Sequence, residues 1–315
     1  MIKRQSLRVA YGDALVELGR KNERLVVLDA DLAHATMTNT FAAEFPDRFF
    51  NFGIAEANMV CAAAGFAHAG LLPFFSTFAL FGAGRGYEMI RNSISYIQLN
   101  VKFGLSHSGL SVGEDGGSHQ SFEDISLMRG LPGMTIFVPC DPYETRKAVF
   151  AAAEINGPVY IRVGRPIVDT ITAPDTPFIP GKANVMREGE DVCIMATGLM
   201  ISYALAAAEQ LAAQNIRAAV VNFHTIKPID AECVLNMANR CGGVVTVEEH
   251  SIIGGLGSAV AEVMAGNTGA KLRRIGIQDK FGKSGKPQDL FNEYGLTSDN
   301  IVYECMELCS AHERR

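Results

Sequence analysis

Phe52-Gly53-Ile54-Ala55-Glu56-Ala57-Asn58-Met59 sets one acid between a short apolar, glycine-containing segment and a helix of small residues expected over 58–70. A carboxylate in that setting is costly unless it has work to do, because desolvating a charge without a partner disfavours folding. Outward from it lies the second informative stretch, His107-Ser108-Gly109-Leu110-Ser111-Val112-Gly113-Glu114-Asp115-Gly116-Gly117-Ser118-His119-Gln120, directly after the strand-like run 101–105. Two histidines and two acids on one glycine-rich loop point to an active site rather than a fold element.

The chain around these stretches alternates helical and strand-like patterns. Residues 7–19 carry apolar positions at helical spacing, and Leu25-Val26-Val27-Leu28 then forms a continuous apolar run ending in Asp29-Ala30-Asp31. A helix leading to a buried parallel strand is the simplest account. Further strands are expected at 71–75, 101–105, 135–138 and 158–163, with helices at 79–97 and 143–155, which is the pattern of an open α/β domain. Residues 166–182 hold Pro166, Pro174, Pro177 and Pro180 without a consistent apolar face, and form the expected linker. Beyond it, strands at 192–196, 218–222, 244–247 and 272–275 alternate with helices at 201–213, 231–239 and 257–264. The expectation is two α/β domains, 1–165 and 183–315, with different cores.

At 315 residues the chain can support two such cores. Hydrophobic residues at 48% and charged residues at 20% give a globular composition. A net charge of −6 offers nucleic acid no general attraction, so any phosphate must be met by a few local cations. The seven cysteines contain no Cys-x-x-Cys pair, and most lie in apolar strand or helix contexts. Buried free thiols in a reducing cytoplasm are therefore expected. No secretory signal is expected at the N-terminus, and no window approaches the ~20 apolar residues of a membrane span.

Together the Glu56 segment and the histidine loop resemble the thiamine-diphosphate enzymes of the transketolase family. The resemblance covers essentially the whole chain, but only the C-terminal half of a full-length transketolase, namely the pyrimidine-binding domain and the C-terminal domain. No equivalent of the diphosphate-binding domain, with its Gly-Asp-Gly run and downstream Asn, is found. The resemblance therefore implies the second subunit of a split transketolase, with a separate diphosphate-binding partner that also carries Mg2+ or Ca2+, and no metal ligands on this chain. It further implies a homodimer of this chain within an α2β2 assembly, acting on sugar phosphates.

Residue by residue, Glu56 matches the glutamate that activates the coenzyme through its pyrimidine ring. Phe78 and Phe81, in Phe75-Ser76-Thr77-Phe78-Ala79-Leu80-Phe81, match the walls of the pyrimidine slot. Gly84 stands where many single-chain transketolases have a third aromatic, which leaves the slot more open or filled by Arg85 or Tyr87. His107 and His119 match catalytic and substrate-binding histidines, Asp115 a contact to a substrate hydroxyl, and Arg8 and Arg165 the two phosphate-binding arginines. Ala35 replaces a family serine that also holds phosphate. Glu114 is expected to brace the loop or a subunit contact. The turns 222–230 and 248–250 are expected to serve packing and subunit contacts.

Two other motifs resemble nucleotide sites. Gly254-Gly255-Leu256-Gly257 opens a helix but lacks the dinucleotide spacing, and Gly282-Lys283-Ser284 lacks the first glycine of a P-loop. Tight packing and a polar loop account for them. Within the thiamine family the rivals are a 1-deoxyxylulose-5-phosphate synthase-like subunit and a 2-oxoacid dehydrogenase beta-like subunit. Outside it, the rival is a noncatalytic regulatory or binding subunit.

Overall fold

The computed structural model describes residues 3–313, with side chains described for 3–310. The strands in chain order are β1 (Arg4–Ser6), β2 (Leu25–Asp29), β3 (Phe49–Asn51), β4 (Leu72–Phe78), β5 (Lys102–Ser106), β6 (Thr135–Phe137), β7 (Val159–Arg162) and β8 (Ile167–Asp169). They are followed by β9 (Asn184–Arg187), β10 (Val192–Ala196), β11 (Ala218–Asn222), β12 (Thr225–Lys227), β13 (Gly243–Ser251) and β14 (Lys271–Ile277). A seven-stranded sheet has the order β12-β6-β7-β5-β4-β2-β3, a five-stranded sheet the order β14-β13-β10-β11-β9, and β1 pairs with β8. All pairings within the two large sheets are parallel except those of the edge strands β12 and β9. The α/β class with parallel sheets is as the alternation implied.

Central strands such as β2 are buried at every residue, as a sheet covered on both faces requires. Successive side chains alternate between faces. Val26 and Leu28 join one core with Phe75 and Phe103, while Leu25 and Val27 join another with Phe74 and Ile161. The first of these cores runs on into Cys193, Met195, Ala219 and Val221 of the second sheet. The expectation of separate cores is thus corrected: one face of each sheet shares a single apolar cluster.

Several expected elements change for physical reasons. Strand β12, from the second half of the sequence, completes the first sheet, where it covers the edge that β6 would otherwise leave unpaired. Part of the expected linker is ordered as β8, in register with β1. The helix expected over 79–97 is instead two π-helical stretches, Phe81–Arg85 and Ile90–Ser95, around the short α-helix Tyr87–Met89. Close packing accompanies the change: a Cβ on Gly82 would stand 2.6 Å from Leu105, and one on Gly86 would stand 2.7 Å from the Gly82 carbonyl. The helix Glu56–His68 starts two residues before its expected start, and Cys61 on it is exposed rather than buried. The helices Pro287–Tyr294 and Ser298–Glu313 were not foreseen.

Both nucleotide-site lookalikes acquire structural roles. The helix Leu256–Met264 has its N-terminus occupied by Glu248, whose carboxylate accepts from the N–H groups of Leu256 at 2.7 Å and Gly257 at 2.8 Å. A phosphate has no place left there. In the second, Lys283 pairs with Glu293 at 2.6 Å, and its carbonyl accepts from Gln120 Nε2 at 3.1 Å. No described helix is long and apolar enough to cross a membrane.

Candidate active site

Apart from Arg8, in the helix Leu7–Lys21, the candidate residues follow the carboxyl ends of the parallel strands, where an open α/β sheet presents its loops. Phe78 ends β4, Ser106 ends β5, and Arg162 ends β7 three residues before Arg165. Glu56 is the first residue of its helix and is buried, so its carboxylate meets the helix's positive end away from water. Its two oxygens lie 3.3 and 3.5 Å from Arg85 Nη1.

Aromatic rings connect Glu56 to the loop. The Arg85 guanidinium lies 4.5 Å from the Phe81 ring centre, and the Phe78 and Phe81 ring centres are 5.6 Å apart. His119 meets Phe81 edge-on at 5.4 Å and Phe78 at 6.2 Å. His107 stacks on Phe78 at 3.8 Å. Of the two fillers considered for the Gly84 gap, Arg85 is the one that lies over Phe81 and reaches Glu56. A one-residue widening of the helix in the π turn Phe81–Arg85 accompanies that placement.

His107 is held in a left-handed backbone conformation, φ 55°, with Nδ1 2.9 Å from Ser106 Oγ. Burial pushes its pKa down to about 3, helped by the positive charges of Arg8 and Arg165 and by His119. It is therefore a neutral imidazole at pH 7. Arg8 Nη1 donates to the Ala35 carbonyl at 2.7 Å, so the residue lacking the family serine hydroxyl still contributes its backbone. Burial and then Arg165 lower the proton affinity of Arg8, which places the two guanidinium groups within electrostatic reach of each other. Arg165 Nη1 donates to the Val112 carbonyl and stands 3.5 Å from Glu114 Oε2. Asp115 is exposed at the end of the 3-10 turn Leu110–Asp115.

A buried carboxylate beside a cluster of aromatic rings is chemistry suited to a flat heteroaromatic ring with a nitrogen to present to Glu56. Arg85 is more than half exposed, so it has somewhere to swing. A Cβ at Gly53 or at Gly84 would meet nothing within 4 Å. Among the described residues, no group of three His, Cys, Asp or Glu side chains is placed to hold a metal ion.

Sequence reasoning missed the support behind the loop. Arg162 donates to Asp124 at 2.6 and 3.2 Å, Asp124 also accepts from Tyr160 Oη at 2.6 Å, and Glu249 accepts from the Ser111 N–H. Residues 248–250, expected as a turn serving packing and subunit contacts, instead belong to β13 and reach the loop 107–120 through Glu249. The one signal available was a pair of acids at the end of an apolar strand.

Known proteins share this chain's sequence and shape. Residues 3–169 match the family described as transketolase, pyrimidine binding domain, and residues 181–301 match transketolase, C-terminal domain. The chain is 48% identical, over 96% of each sequence, to a putative transketolase C-terminal section from Methanocaldococcus jannaschii. It is 44% identical to a 6-deoxy-6-sulfo-D-fructose transketolase subunit from Clostridium sp. (strain MSTE9), over 96% of this chain and 94% of that one. Among solved structures, one described as a split gene transketolase, inactive beta4 tetramer, superposes with a TM-score of 0.89 at 49% identity, covering 97% of this chain and 98% of that one.

Proposed function

This chain belongs to the transketolase family, and from that premise we propose that it is the pyrimidine-domain subunit of a two-chain transketolase. It transfers a two-carbon ketol unit from a ketose bearing a terminal anion to an aldose, once a separate diphosphate-binding chain completes each site. The observation that carries this reading is the buried Glu56, linked through Arg85 to Phe81, with His107 stacked on Phe78 and His119 edge-on to Phe78 and Phe81. Residues 1–165 and 183–315 are its two domains, joined by 166–182.

Thiamine diphosphate, when bound, supplies a nucleophilic thiazolium carbon and an electron sink. Glu56 shares a proton with the far nitrogen of the pyrimidine, in a site where burial strengthens that hydrogen bond. Phe78 and Phe81 wall the ring. His119, partly exposed beside the slot, holds or moves a proton at the substrate's carbonyl or adjacent hydroxyl. His107, neutral, orients a hydroxyl, and Asp115 accepts from another. Arg8 and Arg165 take the terminal anion with charge-assisted hydrogen bonds. The metal and the diphosphate ligands belong to the partner chain, and two copies of each chain form the assembly.

The test is reconstitution. Purified alone, this chain shows no ketol transfer; mixed with its diphosphate-binding partner and coenzyme, it does. Robust turnover by the chain alone sinks the split-site reading.

A further inference from the structure

The loop 107–120 carries three of the proposed site residues, and its internal bonds, among them His119 N–H to the Gly116 carbonyl at 2.9 Å, are local turns that leave its seat on the sheet to be set from outside. It has positive φ at His107, Gly109, Gly113 and Gly116, a backbone with many alternatives. Gln120 Nε2 ties it internally to the Leu110 and Gly113 carbonyls at 3.4 and 3.3 Å, Arg165 holds the Val112 carbonyl, and a further grip comes from the second sheet. We propose that Glu249 is a positioning residue: its carboxylate grips the turn 109–111 and so sets where His107, Asp115 and His119 stand.

Glu249 lies on β13 and is almost fully buried. Its Oε1 accepts from the Ser111 N–H, and a Cβ on Gly109 would stand 2.5 Å from its carboxyl carbon. The carboxylate therefore lies directly against the glycine backbone, a contact no other residue type at 109 permits. Gly109 N–H in turn donates to the Ser121 carbonyl at 3.0 Å, which ties the start of the loop to its end. Arg162 Nη2 donates to the backbone carbonyls of Glu249 at 3.0 Å and Ser121 at 3.4 Å while Arg162 grips Asp124. Both ends of the loop are thus anchored to one pair, Arg162 from the first sheet and Glu249 from the second. His107 and His119 each sit two residues from an anchored position, so a shift of the anchor passes to both rings. Displacements of about 1 Å in a positioned group cost about 100-fold in rate.

This inference rests on the proposed function for its activity arm, so the experiment carries a second readout on the loop itself. In the reconstituted two-chain enzyme, Glu249→Gln keeps an acceptor for the Ser111 N–H and Glu249→Asp withdraws it by one methylene. The methylene lost in Glu249→Asp leaves space beside a cavity of about 20 Å3 that Glu249, Ser108 and Arg162 line. Hydrogen–deuterium exchange over 107–121, kcat/KM, and deuterium incorporation at the thiazolium carbon are measured for both variants. Glu249→Asp speeds loop exchange by about tenfold and lowers kcat/KM by about 10- to 100-fold, with thiazolium exchange changed by less than about twofold. Glu249→Gln restores both to within about threefold of wild type. Unchanged loop exchange in Glu249→Asp, or exchange that rises equally across the whole chain, overturns the proposal. A wild-type complex without ketol transfer defeats the proposed function alone, because loop exchange still decides the anchor.

Discussion

Arg165→Ala probes the anion end of the site. Its Nη1 is engaged with the Val112 carbonyl and Glu114, which leaves its other N–H groups for a ligand. A lost charge-assisted hydrogen bond is worth about 1.5–3 kcal/mol, which at about 1.36 kcal/mol per decade lowers kcat/KM for a phosphorylated ketose by about 10- to 150-fold. Glu114 competes weakly, because its carboxylate is 62% exposed and 3.5 Å away. Exposed pairs contribute about 0–1 kcal/mol, so Glu114→Gln raises kcat/KM by no more than about fivefold. Arg8→Ala falls in the same range, with one difference. It also releases the Ala35 carbonyl, so a part of its loss appears with donors that carry no anion. The double variant loses less than the sum of the two, since both side chains hold one anion. The assay is steady-state kcat/KM of the reconstituted enzyme with matched phosphorylated, sulfonated and unsubstituted donors. Equal losses for charged and uncharged donors in Arg165→Ala would refute the reasoning and make Arg165 a strut for the loop.

Two further outcomes follow from the same geometry. Glu56→Gln, nearly isosteric, slows deuterium exchange at the thiazolium carbon by orders of magnitude with an unchanged circular dichroism spectrum, and a wild-type exchange rate removes Glu56 from its role. Thermal unfolding scanned against pH tests the buried groups. His107 at about 3 and His224 and His250 at about 4 are neutral in the fold but charged in the unfolded chain below about 6.5, so acid favours unfolding there. Burial lifts Glu144, Glu248 and Glu249 to about 7 and Asp29 to about 6, so acid favours the folded state through the glutamates between about 4.5 and 7 and through Asp29 between about 3.8 and 6. The two sets oppose each other from about pH 6.5 to 4.5, giving a nearly flat Tm. Below about 4 Tm drops steeply, as Asp124, which burial pushes up but Arg162 and its hydrogen bonds hold below the usual carboxylate range, loses its charge. A steady fall across the whole range would show that the buried glutamates do not titrate as described.

Much of the site is legible in the sequence because its signals are local. Glu56 is marked by its immediate neighbours, and the spacing of His107, Asp115 and His119 lies within one loop. The α/β alternation is equally readable, since periodicity of 2 or 3.6 residues needs only a short window. Wrong or missing elements share another cause, contact between residues remote in sequence. The π turns that bring Arg85 to Glu56 accompany the close fit of Gly82 on Leu105, and β12 pairs with β6, a strand that ends as far back as Phe137.

The anchor of the active loop shows the same division. Local sequence determined that residues 107–120 would be a polar, glycine-rich loop bearing acids and histidines, because side-chain chemistry and glycine content are written in place. Its seat also takes in a contact to Glu249, 138 positions away from Ser111, which Arg162 and Asp124 back. A buried carboxylate finds its partner only when two sheets close on each other, and the cost of leaving either group unpaired then selects one geometry. Chain position carries no record of that choice; the tertiary fold makes it.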